Sequence, residues 1–566
     1  MDELISNSLI LSKSVLIILS LLIIARCLRS LLSERYEAET WAYLRLGQEL
    51  LPVTHWENLI GRSRGADIRV DRARVSRVHA VLTRNARGQW AIYDIFSRGG
   101  VWINGIKLGP HGAVIEDGDQ INLGGTRLRF QNLSADKGRQ LAEKRTSAGH
   151  RVSPFGTLLE LSVFQIFLLL QHALVGGEHL PMIALCFGAL LALEWFCYSS
   201  MRLLDRSGFE IETLAFYLSS LGLSVAASSV PEDLFKQMLL TIAGVVLFLL
   251  TGWWLRSLRR VTAVRTLAGL AALGLLAVNI VFSEEILGAR NWLSFGGYSF
   301  QPSEFVKVLY LYVGASTLDR LYRRQNLFSF MIFSAVCVIA LALIGDFGTA
   351  LVFFVCFLVM SFLRSGSIAT VLLALTGAGM AGVLAVSVRP HIAQRFASWG
   401  HVWEDIYGAG YQQARAMSAA AAGGLFGKGA GAGWLKNVVA ADTDMVFAVV
   451  CEEQGLIIAL CMVLAVLALA FFAVRAARYG RSSYYAIAAC GAMAMLMTQT
   501  ALNIFGTMDL LPFTGVTFPF VSRGGSSLLS CWMLMAFLKG SDTRRGASFV
   551  VSPLRFDEED AGGEQA

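Results

Sequence analysis

Residues 236–283 read KQMLLTIAGVVLFLLTGWWLRSLRRVTAVRTLAGLAALGLLAVNIVFS, two apolar blocks near 236–256 and 263–283 with Arg256, Arg259, Arg260 and Arg265 at their joint. Each block is long enough to cross, as a helix, a hydrocarbon core about 30 Å thick. A cationic joint between two such blocks marks the side on which the chain turns back. The stretch therefore reads as a membrane hairpin, and the same pattern recurs outward in both directions. Further blocks lie near 9–28, 157–176, 180–198, 211–228, 303–318, 327–344, 347–363, 367–388, 445–474, 483–506 and 525–539, which makes thirteen candidate spans. Composition agrees: 55% of the 566 residues are hydrophobic and 16% charged, with mean hydropathy +0.56, which excludes a water-soluble chain of this length.

The charge pattern orients the bundle. The first block follows Asp2 and Glu3 and precedes Arg26, Arg29 and Arg35. That is the reverse of a secretory leader, so residues 1–34 read as an uncleaved anchor with its N-terminus outside. Arg202/Arg206, Arg320/Arg323/Arg324, Arg364, Arg475/Arg478/Arg481 and Arg544/Arg545 then fall on the same side as the joint quoted above. The net charge of +7 is explained by these joints and not by nucleic-acid binding. The nine cysteines lie in or beside apolar blocks without metal-ligand spacing, and read as packing residues.

Between the anchor and the second block the texture changes. Residues 45–135 alternate short Val-, Ile- and Trp-rich runs with Gly and Asp, the pattern of an all-β sandwich. A polar linker follows at 136–154, then two additional transmembrane helices at 155–200, the main membrane unit at 205–540 and an acidic cytoplasmic tail at 541–566. The fold class is thus a multi-pass α-helical membrane protein with a cytoplasmic all-β sandwich.

Within the sandwich, Gly61-Arg62, the S-x-x-H of Ser76 to His79, and Asn104-Gly105 occur in the order and spacing of a forkhead-associated (FHA) domain, which this stretch resembles throughout. The resemblance implies a phosphothreonine-peptide reader with Arg62, Ser76, Arg77 and Asn104 at the ligand and His79 bracing the loop. A dianionic phosphate calls for a guanidinium fork and a hydroxyl donor. One departure is Gly99, which stands where many members carry a peptide-gripping Asn.

In the membrane unit, Glu304 and Lys307 lie three residues apart at the start of a span, on one helical face. Buried charge in a membrane is costly, so the pair is either functional or a structural tie between helices. The long Gly-rich segment 389–443 carries Arg389, Arg395, Arg415, Lys428 and Lys436, a set suited to an anion such as a pyrophosphate. Asp442 and Asp444 open the helix that follows, where a cap is the ordinary reading.

Four motifs decide between these readings. GARNWLSFGGYSFQPSEFVK, GYQQARAMSAAAAGGLFGKG, DTDMVFAVVCEEQG and LLPFTGVTFPFVSRGGSSLL are similar, in order, to the signatures of the FtsW/RodA (SEDS) family, whose ten-helix core would occupy 205–540. The resemblance implies polymerisation of lipid II at the outer face. Asp444 would be the catalytic base, Glu304 and Lys307 would share its cavity, and Arg290, Arg389 and Arg395 would meet the leaving pyrophosphate. A divalent cation such as Mg2+ could share that work, though no dedicated ligand set is visible. It further implies a class B penicillin-binding protein as transpeptidase partner, a threonine-phosphorylated protein or Ser/Thr kinase at the FHA domain, and a place in the bacterial cytoplasmic membrane. A lipid-linked precursor transporter or an inactive cell-wall scaffold is the alternative. The pattern is broken at Asp442, which replaces a His, at Arg523, which replaces an aromatic, and in the hairpin Ile344-Gly345-Asp346-Phe347-Gly348-Thr349-Ala350.

Overall fold

The computed structural model describes residues 2–33, 39–63, 66–85, 88–134, 136–137, 140–141, 152–204, 206, 208–286, 289–295, 298–318, 325–388 and 396–543. The sandwich has eleven strands: β1 Ala42–Leu46, β2 Glu49–Val53, β3 Glu57–Gly61, β4 Ile68–Arg69, β5 Ala80–Arg84, β6 Trp90–Asp94, β7 Val101–Ile103, β8 Ile106–Lys107, β9 Ala113–Ile115, β10 Gln120–Leu123 and β11 Thr126–Asn132. They form a six-stranded sheet, β2-β1-β11-β10-β7-β8, facing a five-stranded one, β4-β3-β5-β6-β9. Alternation sets the faces: in β11, Leu128 and Phe130 are buried while Arg127 and Arg129 alternate with them. The sandwich has its own core, built on Leu44, Ile60, Leu82, Trp90, Ile121 and Phe130. Its first strand begins at Ala42, three residues before the expected 45.

The helices are α1 Asp2–Ser33, α2 Pro154–Val175, α3 Leu180–Leu203, α4 Glu210–Ser229, α5 Leu234–Leu255, α6 Leu258–Phe282, α7 Pro302–Leu318, α8 Gln325–Ile344, α9 Phe347–Ser365, α10 Ile368–Val388, α11 Tyr411–Gly423, α12 Ala441–Asp444, α13 Val446–Glu453, α14 Leu456–Tyr479, α15 Ser483–Thr507 and α16 Gly525–Gly540. A small antiparallel sheet, β12 Glu284–Ile286, β13 Ala289–Phe295 and β14 Tyr298–Phe300, lies between α6 and α7. Proline at the first helical turn begins α2, where its missing N–H costs nothing. Asp346 caps α9 by accepting from the Thr349 N–H at 3.0 Å.

Among the described residues ten helices are long and apolar enough to cross a membrane. All thirteen expected spans are helical; α10 is counted only over the shorter apolar stretch Ile368–Met380, and α7 and α16, of 17 and 16 residues, fall short of that length. At 1.5 Å per residue they measure only about 25 Å. Both reach the end of the bundle nearest the sandwich: Arg265 of α6 bonds Ser316 O, and Lys539 bonds Gly208 O. Their missing length is therefore at the other end.

The expected span 445–474 is also broken. Gly455 (φ 91) separates α13 from α14, and a Cβ there would stand 2.4 Å from Leu425 O. The glycine-rich loop after α11 fills the break, with Lys428 N donating to Glu452 O, Gly429 N to Glu453 O and Leu456 N to Gly424 O. A continuous helix would leave those loop groups without partners. The anchor and the pair α2–α3 lie against the same side: Lys13 Nζ donates to Gly427 O, and Ala430 N to Gln171 Oε1.

Candidate functional site

At the end of the bundle away from the sandwich, four elements meet around Asp444. The acid ends the single turn α12, with Ala440 (φ 62) before it and Met445 interrupting the helix after it. It therefore closes one helical turn and does not open the following helix, as the sequence had suggested. The turn is gripped from three directions. Asn503 Nδ2 on α15 donates to Asp444 O and to Val516 O, both at 2.9 Å, and Thr507 Oγ1 donates to Asp444 O. Ser522 Oγ donates to Thr443 O at 2.5 Å, and Arg523 N to Asp442 O at 2.8 Å. The carboxylate itself lies against Gly515 (φ 67), where a Cβ would stand 3.1 Å from Asp444 Oδ2. The absent side chain thus leaves room in front of that oxygen.

Glu304 and Lys307 form a buried ion pair of 2.5 Å at the start of α7, and Ser530 Oγ of α16 donates to Glu304 Oε2 at 2.6 Å. Gln301 Nε2 donates to Asp346 Oδ2 at 3.0 Å, and Asp346 is near enough to feel the charges of Glu304 and Lys307. The Thr514–Val516 segment connects this group to Asp444: Val516 Cγ2 and Thr514 Cβ pack on Gly348, two residues beyond Asp346, while Gly515 between them faces the Asp444 carboxylate. One loop thus touches both groups. Asp346 and Ser530 join the set without having been expected in it. The signal for Asp346 was present in the hairpin, but a serine inside an apolar helix carries none.

The two substitutions at 442 and 523 belong together. Arg523 Nε pairs with Asp442 Oδ2, and Arg523 NH1 with Asp233 Oδ2 at 2.8 Å. Asp442 is thus no second candidate base but the anchor of the loop that flanks Asp444.

The cations of the outer segment are mostly committed elsewhere. Lys428 pairs with Glu452 at 2.6 Å, Lys436 Nζ donates to Gly431 O, and Arg415 stacks on Tyr411 and Trp434. They hold the glycine-rich loop instead of lining a rim. Burial would raise the Glu452 carboxyl, yet Lys428 and the N–H groups of Trp434 and Leu435 hold it below its ordinary value. Its neighbour Glu453 is pushed up to about 7 by burial, against the hydrogen bond from Ser228. Arg290 is placed on β13, while Arg389 and Arg395 lie outside the described residues. Among the described residues no three His, Cys, Asp or Glu side chains stand together as a metal site.

At the opposite end, the loop after β4 joins the end of β3. Arg62 N donates to Ser76 O and Ser63 N to Arg77 O, each at 3.0 Å. A Cβ on Gly61 would lie 2.2 Å from Arg77 O, so only glycine permits this approach. Ser76 N donates to His79 Nδ1 at 2.9 Å; the other ring nitrogen must then carry the proton, and donates to Gly100 O at 3.0 Å. Arg62, just after β3, is thus brought to Ser76 and Arg77 on the braced loop after β4. Asn104 is not with them: at φ 50 it turns the β7–β8 hairpin, and its amide is spent on Asp119 Oδ1 and Gln120 N. Gly99 is also explained, because a Cβ there would stand 2.6 Å from Gly124 Cα.

Comparison with known proteins matches both parts of the chain. The family model "Cell cycle protein" (FtsW/RodA/SpoVE) matches residues 211–545, and that of the FHA domain matches residues 58–124. The peptidoglycan glycosyltransferase RodA of Mycobacterium tuberculosis is 30% identical over 322 residues, 54% of this chain and 69% of its own length. The probable peptidoglycan glycosyltransferase FtsW of Tolumonas auensis is 31% identical over 377 residues, 62% and 95% of the two chains. A solved chain from a peptidoglycan synthase complex that coordinates polymerization and crosslinking superposes with TM-score 0.50 at 25% identity, covering 59% of this chain and 97% of that one.

Proposed function

The chain belongs to the FtsW/RodA/SpoVE family of peptidoglycan glycosyltransferases, and from that premise we propose that it polymerises lipid II at the outer face of the bacterial cytoplasmic membrane, with Asp444 as the base. The proton of the acceptor sugar's 4-hydroxyl passes to the Asp444 carboxylate as the oxygen bonds to the anomeric carbon of the donor. The bond from that carbon to the pyrophosphate breaks, and undecaprenyl pyrophosphate departs with the electron pair. Buried Glu304 and Lys307 pair with each other at the start of α7, with Ser530 donating to Glu304. Arg290, Arg389 and Arg395 stabilise the departing pyrophosphate from the outer segment. No step is routed through a divalent cation.

The observation that carries this reading is the fixing of the Asp444 turn. Its carbonyl is held by Asn503 and Thr507, its flank by Ser522 and Arg523, and its carboxylate faces a glycine. A base held rigidly in one position is what proton abstraction from a bound hydroxyl requires. The sandwich, on the cytoplasmic side, binds a threonine-phosphorylated protein through Arg62, Ser76 and Arg77, and a class B penicillin-binding protein crosslinks the product. The purified chain and that transpeptidase, given labelled lipid II, should yield glycan strands. Movement of lipid II across a vesicle membrane without any polymer would instead show a transporter, and neither outcome a scaffold.

A further inference from the structure

The sandwich is fastened directly to the bundle. Arg481, in the α14–α15 joint, pairs with both oxygens of Glu39, at 2.5 and 2.9 Å. Trp56 N donates to Arg481 O, His55 Nδ1 meets Gly480 O, and the Glu57 carboxylate accepts from Ser482 Oγ and Ser483 N. These bonds hold the Ser76–His79 loop over the ends of α9 and α14. Between the two modules lies a cavity of about 1180 Å³. Ser76, Arg77 and Arg98 line its sandwich wall, with Arg62 bonded beside them to Ser76 O, and Arg364 and Arg478 line its bundle wall; the carboxylates on the sandwich wall, Glu57 and Asp67, are engaged by Ser482 and Ser483 and by the Leu59 N–H.

Phe96 stands on the same wall, 89% exposed. Its φ of 49 lies in the left-handed region, which aromatic residues rarely adopt. An exposed ring held in a disfavoured conformation beside a phosphate-type loop is what a ligand contact requires and packing does not. Arg98 N donates to Ser76 Oγ at 3.2 Å, which brings the backbone of Arg98 to the same hydroxyl. At Gly99 the sandwich offers no side chain to grip a peptide.

We propose that the threonine-phosphorylated ligand binds inside this cavity, in a composite site in which Arg364 and Arg478 of the membrane bundle complete the recognition begun by Arg62, Ser76 and Arg77. The proposal rests on the reading of the sandwich as a phosphothreonine reader. Cationic walls on two modules suit a dianionic phosphate together with acidic residues flanking it. The peptide runs between sandwich and bundle and touches α14, whose other end adjoins the Gly455 break and, through α13, the Asp444 turn. Ligand binding at one end of the bundle is thereby in contact with the helix that supports the catalytic turn at the other.

The test uses the full chain in phosphatidylcholine nanodiscs and a fluorescent peptide library of random sequence around one phosphothreonine, read by anisotropy. Arg62→Ala should abolish binding. Arg478→Glu, alone or with Arg364→Gln, should weaken it by about ten-fold or more, and Arg478→Lys should retain most of it. If Arg62→Ala loses binding while both bundle variants bind like the parent, the sandwich reads its ligand alone and the composite site is wrong. If the parent binds no phosphopeptide, or Arg62→Ala binds equally well, the phosphothreonine reading itself fails and takes this proposal with it. Displacement of the probe by phosphatidylglycerol in the nanodisc, to the extent seen on losing Arg478, would assign the bundle arginines to lipid and also overturn it.

Discussion

Glu453 shows how one residue registers its surroundings. Its carboxyl is buried behind the glycine-rich loop and stands at about 7 instead of 4.5. A raised carboxyl favours the folded state most below its ordinary value, and that advantage is lost as pH rises through about 7. The protein in detergent should therefore melt at a lower temperature at about pH 8 than at about pH 5. Glu453→Gln, which can still accept from Ser228, should shrink that difference by about 2 °C or more; an unchanged difference would place the pH sensitivity elsewhere. Gly99 makes the opposite kind of point, since the side chain missing from the family pattern has no room. Gly99→Asn should lower the sandwich's thermal stability by roughly 1–3 kcal/mol through overpacking against Gly124, and should not improve phosphopeptide affinity. Tighter binding by a stably folded variant would contradict this.

At the scale of elements, the turn α12 and the loop from Pro512 to Gly524 act as a unit, joined by Asn503, Ser522 and the Arg523–Asp442 pair. Read singly, Asp442 and Arg523 weaken the family pattern; read together, they are one interaction that replaces another. A double-mutant cycle of Asp442→Asn and Arg523→Gln should give a coupling of about 1 to 2 kcal/mol in stability, reduced from a fully buried value because Arg523 is partly exposed. Additive losses would mean that the pair does no joint work. Such pairings were illegible beforehand because the partners lie 81 positions apart and neither residue alone signals the other. The helices were legible because hydrophobic length is a local property. The break at Gly455 was not, since it is set by a loop from elsewhere in the chain. The i, i+3 spacing of Glu304 and Lys307 was local and visible, whereas Asp346 and Ser530 reach them only through tertiary packing.

Across the whole molecule, the sandwich and the Asp444 turn occupy opposite ends of α14, which at 24 residues is about 36 Å long. Arg364, Arg478 and Arg481 stand at the sandwich's end, the arrangement that cationic loops on the cytoplasmic side predict. A membrane-impermeant thiol reagent applied to intact cells expressing a chain without its native cysteines should label a cysteine placed at Gly431 and spare one at Gly88. The reverse pattern would invert the topology and remove the basis for a cytoplasmic phosphothreonine reader. The central claim is that Asp444 is the base of a polymerising enzyme, and its most direct test is the rate at which the purified protein, with its transpeptidase partner, converts labelled lipid II into glycan strands. Asp444→Asn keeps the volume of the side chain and leaves the backbone carbonyl for Asn503 and Thr507. The variant should therefore remain folded by thermal melt while its rate falls by roughly 100-fold or more; glycan strands made at the parental rate by the folded variant would contradict the account.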